Sequence, residues 1–146
     1  MASNVTDWGE NAFLGALIGA TSAVPGTFYM GLLTQAPVAS DDGTTVMEPL
    51  SASGYSRVSF SNSSSFWSAA SGGVVINTGT ITFPIASADW TVVTHYGLFT
   101  AATAGNMYMY APLQLPRVVQ AGHLCKFDPG QLSISLQGAR QTIMSS

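Results

Sequence analysis

The residues of this chain that could do chemistry are few: two histidines, one cysteine and seven carboxylates among 146 residues. His95 and His123 could each serve as a general base, and a nucleophilic hydrolase would pair one of them with a serine held at a strained turn. The nearest approach to such a turn, Gly54-Tyr55-Ser56-Arg57, lacks the second glycine. A glycosidase would need two of Asp7, Glu10, Glu48, Asp89 and Asp128, but no spacing singles out a pair. Asp41-Asp42-Gly43-Thr44-Thr45 resembles the first half of a calcium loop without the ligating acid at its far end, so it reads as a polar turn. Zinc wants several His or Cys at short spacing, and these are dispersed. Asp89-Trp90 reads as a turn acid beside a core aromatic. The sequence therefore predicts no catalytic residue, no metal and no cofactor. Cys125 has no intrachain disulfide partner and reads as a small buried hydrophobe.

Composition points the same way. Charged residues make up 8% of the chain, against about 25% in an ordinary globular protein. The four cations, Arg57, Arg117, Lys126 and Arg140, are scattered and the net charge is −3, which argues against nucleic acid as a partner. The apolar run 12–24 falls short of the ~20 residues a membrane helix needs, and the first residues lack a basic signal region, so the expected setting is neither membrane nor export. With so little charge to keep it apart from neighbours, the chain is expected to cover part of its surface with other proteins.

These sparse groups must be carried by a mainly β framework, expected as one domain over 1–146: a helix region at 7–24, a β-sandwich at 25–137 and a tail at 138–146. Thr6 or Asp7 can cap the helix, whose apolar face is Phe13, Leu14, Leu17 and Ile18, with Gly15 and Gly19 permitting close approach to a sheet. Thr27-Phe28-Tyr29-Met30-Gly31-Leu32-Leu33-Thr34 is apolar at both alternating sets of positions and reads as a strand covered on both faces. Further strands are expected at 55–60, 66–67, 74–76, 80–83, 91–99, 107–111, 123–127 and 131–136, with Leu132, Ile134 and Leu136 facing inward. Short strands with frequent turn signals indicate an antiparallel β-sandwich or a jelly-roll-like barrel with one short N-terminal helix.

The hairpin of 91–99 and 107–111 decides where contacts fall. Strict alternation puts Met107 and Met109 on one face and Tyr108 and Tyr110 on the other. Two apolar faces require cover on both sides, by the core and by either the helix or another chain. Tyr and Met are favoured at protein interfaces. Met107, Tyr108, Met109 and Tyr110 are therefore interface candidates. Asp41 and Asp42 join them, because loops as long as 35–53 often contact partners.

The order of motifs resembles a family of small bacteriophage virion proteins of the tail-fibre and head-decoration type. The resemblance is carried by Val24-Pro25-Gly26-Thr27-Phe28-Tyr29-Met30-Gly31-Leu32-Leu33-Thr34, Gly54-Tyr55-Ser56-Arg57 and Asn77-Thr78-Gly79-Thr80-Ile81-Thr82-Phe83-Pro84. It is strongest in Ala88-Asp89-Trp90-Thr91-Val92-Val93-Thr94-His95-Tyr96-Gly97-Leu98-Phe99, and continues from Ala121-Gly122-His123 through Phe127 to Leu136. Relatives often carry Gly-rich turns where this chain has its serine run 61–65 and Phe66-Trp67. The resemblance implies a virion protein made in the bacterial cytoplasm. The first expectation is a non-enzymatic capsid decoration (cement) protein bound to the major capsid protein and to copies of itself, with trimers common on such shells; the second is a tail-fibre or tail-tip component used in host attachment.

Overall fold

Thr6 organises the start of the chain. Its hydroxyl accepts from Gly9 N at 3.0 Å, capping helix α1 (Asp7–Leu17), and donates to the carbonyl of Met107. The computed structural model describes residues 4–20 and 25–135. Around α1 lie β1 (Asn4–Val5), β2 (Thr27–Leu33), β3 (Val58–Ser61), β4 (Val74–Ile76), β5 (Ile81–Thr82), β6 (Val93–Phe99), β7 (Met107–Arg117), β8 (Lys126–Phe127) and β9 (Ser133–Ser135). Five strands form one antiparallel sheet in the order β1-β7-β6-β2-β3, and β4-β9 and β5-β8 form two small antiparallel pairs. The pairs lie over the larger sheet, so the fold is sandwich-like, and the described strands close no barrel.

One core fills the space between the layers. Phe28, Met30 and Leu32 of β2 and Leu98 of β6 meet Ile81, Phe127 and Leu132 from the facing pairs. Rings carry much of the contact: Phe60 stacks on Phe66 at 4.4 Å, and Phe127 meets Tyr96 and Phe83 edge-on. Edge and offset geometries of this kind add to the burial of apolar area. Phe66 lies in a turn and Trp67 makes only a single bridge to Asn77, so the strand expected at 66–67 is absent. Asn77 replaces it as an organiser. Its buried amide donates to Gly79 O and Asp128 O and accepts from Leu132 N, tying the β4–β5 turn to the β8–β9 turn.

The helix departs from expectation. It ends at Leu17 with Ile18 as its C-cap, and residues 21–24 lie outside the described region. Only Phe13 of the expected apolar face packs inward, against Tyr108; Leu14, Leu17 and Ile18 are exposed. Close approach is made by Gly9, and a Cβ at Gly19 would meet nothing within 4 Å. A Cβ at Gly9 would collide with the Tyr108 carbonyl.

β7 departs too. It pairs Phe99 with Met107 but Leu98 with Met109, leaving Tyr108 as an extra residue, a β-bulge. The bulge breaks the expected alternation. Met107 packs with Leu33 and Phe99 on one face, with Tyr110 partly buried beside them; Tyr108 and Met109 both belong to the sandwich core. Farther along, Pro112 pairs with His95 and Arg117 with Val93, so the residues between Pro112 and Arg117 outnumber those opposite and bow outward. Among the described residues, β1 pairs with the outer edge of β7 at Met109 and Tyr110. β9 stops at Ser135; Leu136, expected to face inward, lies outside the described residues, as does the tail at 138–146.

Candidate functional site

The second face of the large sheet is covered by the loop 34–50, and one arginine holds the loop there. Gly31 and Gly97 face each other across β2 and β6. With no side chains they leave a floor on which the Phe99 ring lies; a Cβ on either would come within 2.9 Å of Phe99 Cε2. The Arg57 guanidinium sits over that ring, 3.7 Å from its centroid. Its Nε and Nη2 grip Glu48 at 3.0 and 2.8 Å, while Nη1 donates to the carbonyls of Ala101 and Ala104 and Nη2 also to Gly43 O. Tyr55 completes the cluster, donating to Glu48 Oε1 at 2.6 Å and accepting from Leu32 N. Burial, and then the Glu48 carboxylate, push the Tyr55 phenol far above its ordinary value. Arg57, Glu48, Tyr55 and the β6–β7 turn thus form one satisfied network. A bidentate arginine pair of this geometry is strong and directional. Sequence reasoning weighed Glu48 as one loose acid and Arg57 as part of a failed catalytic turn. The signal lay in composition: a glutamate and an arginine nine positions apart, flanking a loop, in a chain with almost no charge.

The other candidate residues resolve individually. Asp42 Oδ1 accepts from Thr44 N at 2.7 Å and Thr44 Oγ1 at 2.6 Å, and these bonds hold its carboxyl below its ordinary value. Asp41 accepts from Val38 N and Thr45 Oγ1, each at 2.8 Å. The segment is a polar turn, and its carboxylates serve the loop's own backbone. His95 is half-buried with Nδ1 2.8 Å from Thr94 Oγ1, and burial lowers its pKa. His123 lies in an exposed loop. Trp90 is buried and donates to Ser53 O, while Asp89 accepts from Ala121 N. The Cys125 thiol is pushed up by burial, with Arg117 opposing. Among the described residues no three His, Cys, Asp or Glu are grouped as a metal site, and no helix is long and apolar enough to cross a membrane.

Of the six interface candidates, Met107, Tyr108 and Met109 are buried against this chain's own residues. Tyr110, Asp41 and Asp42 keep surface, and Tyr110 lies near Asp41 and Asp7: burial raises its phenol, and the charges of Asp41 and Asp7 add to the rise. Asp7 N donates to Ala39 O, fixing the start of α1 to the loop. Beside the far stretch of β7 a polar cleft of about 570 Å³ is lined by Tyr96, Gln114, Arg117, Lys126, Gln131 and others. A second hollow of about 430 Å³ shares Arg117, Lys126 and Gln131 and adds Gln120, His123 and Asp128. An apolar groove of about 420 Å³ opens at the rim of the sandwich between Phe13, Trp67, Val75 and Ile134.

The described part of the chain is thus a β-sandwich with one internal ionic clamp and open surface hollows. A family model described as "Podophage GP4 fiber I protein gp80" matches residues 4–135, and the chain belongs to that family, one of bacteriophage virion structural proteins. No curated protein matches the sequence.

Proposed function

We propose that this protein is a non-enzymatic building block of the virion's fibre apparatus. The match to the fibre family over nearly the whole chain is the observation that carries the reading. The sequence expectation ranked capsid decoration above a fibre role; the family's description favours the reverse order. The fold suits such work. A fibre subunit must hold its shape under load, and here both faces of the central sheet are covered, one by the sandwich layer and the other by a loop locked through Arg57. The hydrogen-bonded His95–Thr94 pair and the turn-bound Asp41 and Asp42 are occupied in structural roles, which supports a protein that acts by contact.

Gold-labelled antibody against the protein, applied to intact particles, tests the reading. Label on the tail appendages is the expected result. Label spread over the head would return the decoration role, and hydrolysis of host envelope by the purified protein, lost in His95→Ala, would overturn the non-enzymatic one.

A further inference from the structure

The exposed charge of the described residues collects in two places. Asp7 and Glu10 in the first turn of α1, with Asp41 and Asp42 in the adjoining loop, make a wholly acidic end. It lies beside the β6–β7 turn: Thr6 bonds to the carbonyls of Met107 and Tyr108, and Gly43 N donates to Gly105 O. The cation beneath this end, Arg57, is neutralised by Glu48. Both exposed cations, Arg117 and Lys126, line the polar cleft instead. Arg117 pairs with Val93 at one end of β6, and Met107 pairs with Phe99 at the other. A seven-residue strand separates the two levels, about 20 Å at its ordinary rise. Asp128 pairs with Lys126 at 3.2 Å and Asp89 accepts from Ala121 N, so among the described residues Arg117 carries the unpaired positive charge of the cleft; at the other end Asp41 and Asp42 bond to their own loop, and Asp7 and Glu10 carry the unpaired negative charge. Each end also exposes apolar side chains, Val38 at the acidic end and Leu115, Val118 and Leu124 around the cleft.

We propose that copies of this chain join head to tail, the acidic end of one seating on the Arg117–Lys126 cleft of the next. Opposite charges on different parts of one surface match a second copy in a heterologous contact, and a like-to-like contact would set acid against acid. Heterologous contacts generate rings where the rotation closes and filaments where it does not. Charge steers the encounter and fixes its register, while the flanking aliphatic residues supply area to bury. This deepens the structural role proposed above by naming its partner, and the two fail separately: particle labelling tests the role, solution assembly tests the contact.

Sedimentation velocity on the full chain decides it. At low salt the wild type is expected to form concentration-dependent oligomers that recede at 0.5 M salt, where screening shortens to a few ångströms. The double variants Asp7→Lys/Glu10→Lys and Arg117→Glu/Lys126→Glu are each expected to be monomeric. Mixed together, they should associate again, because the sound acidic end of one meets the sound cleft of the other and the reversed end and reversed cleft also carry opposite charges. Circular dichroism checks folding, and the milder Glu10→Gln and Arg117→Gln, expected to weaken association several-fold, serve if a reversal unfolds the chain. A wild type that stays monomeric, a variant that assembles undiminished, or a mixture that does not associate overturns the proposal. So does a wild type that binds dextran sulfate through the cleft while remaining monomeric, which would assign the cleft to an acidic polymer.

Discussion

The two faces of the five-stranded sheet are stabilised in different ways. The inner face meets a second layer of strands and stacks rings and aliphatic chains over a broad area. The outer face meets a loop without regular structure, and its small apolar cluster of Leu33, Phe99 and Met107 is sealed by one guanidinium bonded to three backbone carbonyls and a carboxylate. Stability spread over many contacts declines gradually as single groups are removed. Stability concentrated in one polar node fails when the node is cut, because the remaining carboxylate is left charged and largely out of water.

The sharpest test cuts the node. Arg57→Ala is expected to cost about 3–5 kcal/mol, read as a loss in urea unfolding, and to raise proteolysis within residues 35–53. A cost below about 1 kcal/mol would put the outer face on the same footing as the inner. Alkali probes the inner core through Tyr96 and the polar node through the Tyr55 hydroxyl. Burial raises Tyr96, on the inner face, to about 12, so the folded state favours its neutral form. That contribution is complete below pH ~10 and is lost as pH rises through about 12, a change of about 2–3 kcal/mol. Tyr96→Phe should remove this part of the alkaline decline and leave the part due to Tyr55, whose phenol is raised further. Next comes the glycine floor. Gly31→Ala places a methyl 2.7 Å from Phe99 Cε2 and 3.0 Å from Glu48 Oε1, and overpacking of this kind costs about 1–3 kcal/mol. Thermal melts should show the loss, and it should shrink in an Arg57→Ala background where the ring is no longer clamped. Smallest is the conservative inner-face change Ile81→Val, expected to cost about 1 kcal/mol, since the surrounding rings retain most of their contacts.

Much of the inner face was legible in the sequence because its strands follow simple periodicity. β2 is apolar at both sets of positions and is covered on both sides. Leu132 points inward as its alternation requires. The outer face was not legible. Its cover depends on Glu48 meeting Arg57 across a loop, and no periodic signal marks such a meeting. The bulge at Tyr108 was hidden for a related reason: it is set by Thr6 and Gly9 of a distant segment docking on the backbone, and a strand read alone defaults to alternation. The helix misled in the opposite way. Its spacing identified a helix, but three residues of its apolar stripe, Leu14, Leu17 and Ile18, remain in solvent. The acidic loop stood out in the sequence by its length, while the cleft around Arg117 and Lys126 needed the β7–β8 juxtaposition that only the fold supplies.

The bowed stretch between Pro112 and Arg117 has a consequence for how a virus can produce such a protein in bulk. An open strand border invites a neighbour's backbone to add to the ladder, and growth of that kind has no natural stop. Here Pro112 and Pro116 contribute no amide hydrogen, and the outward bow carries the intervening residues out of register. That border is a poor template for a stray chain, so a crowded cell can accumulate the protein without seeding runaway sheets.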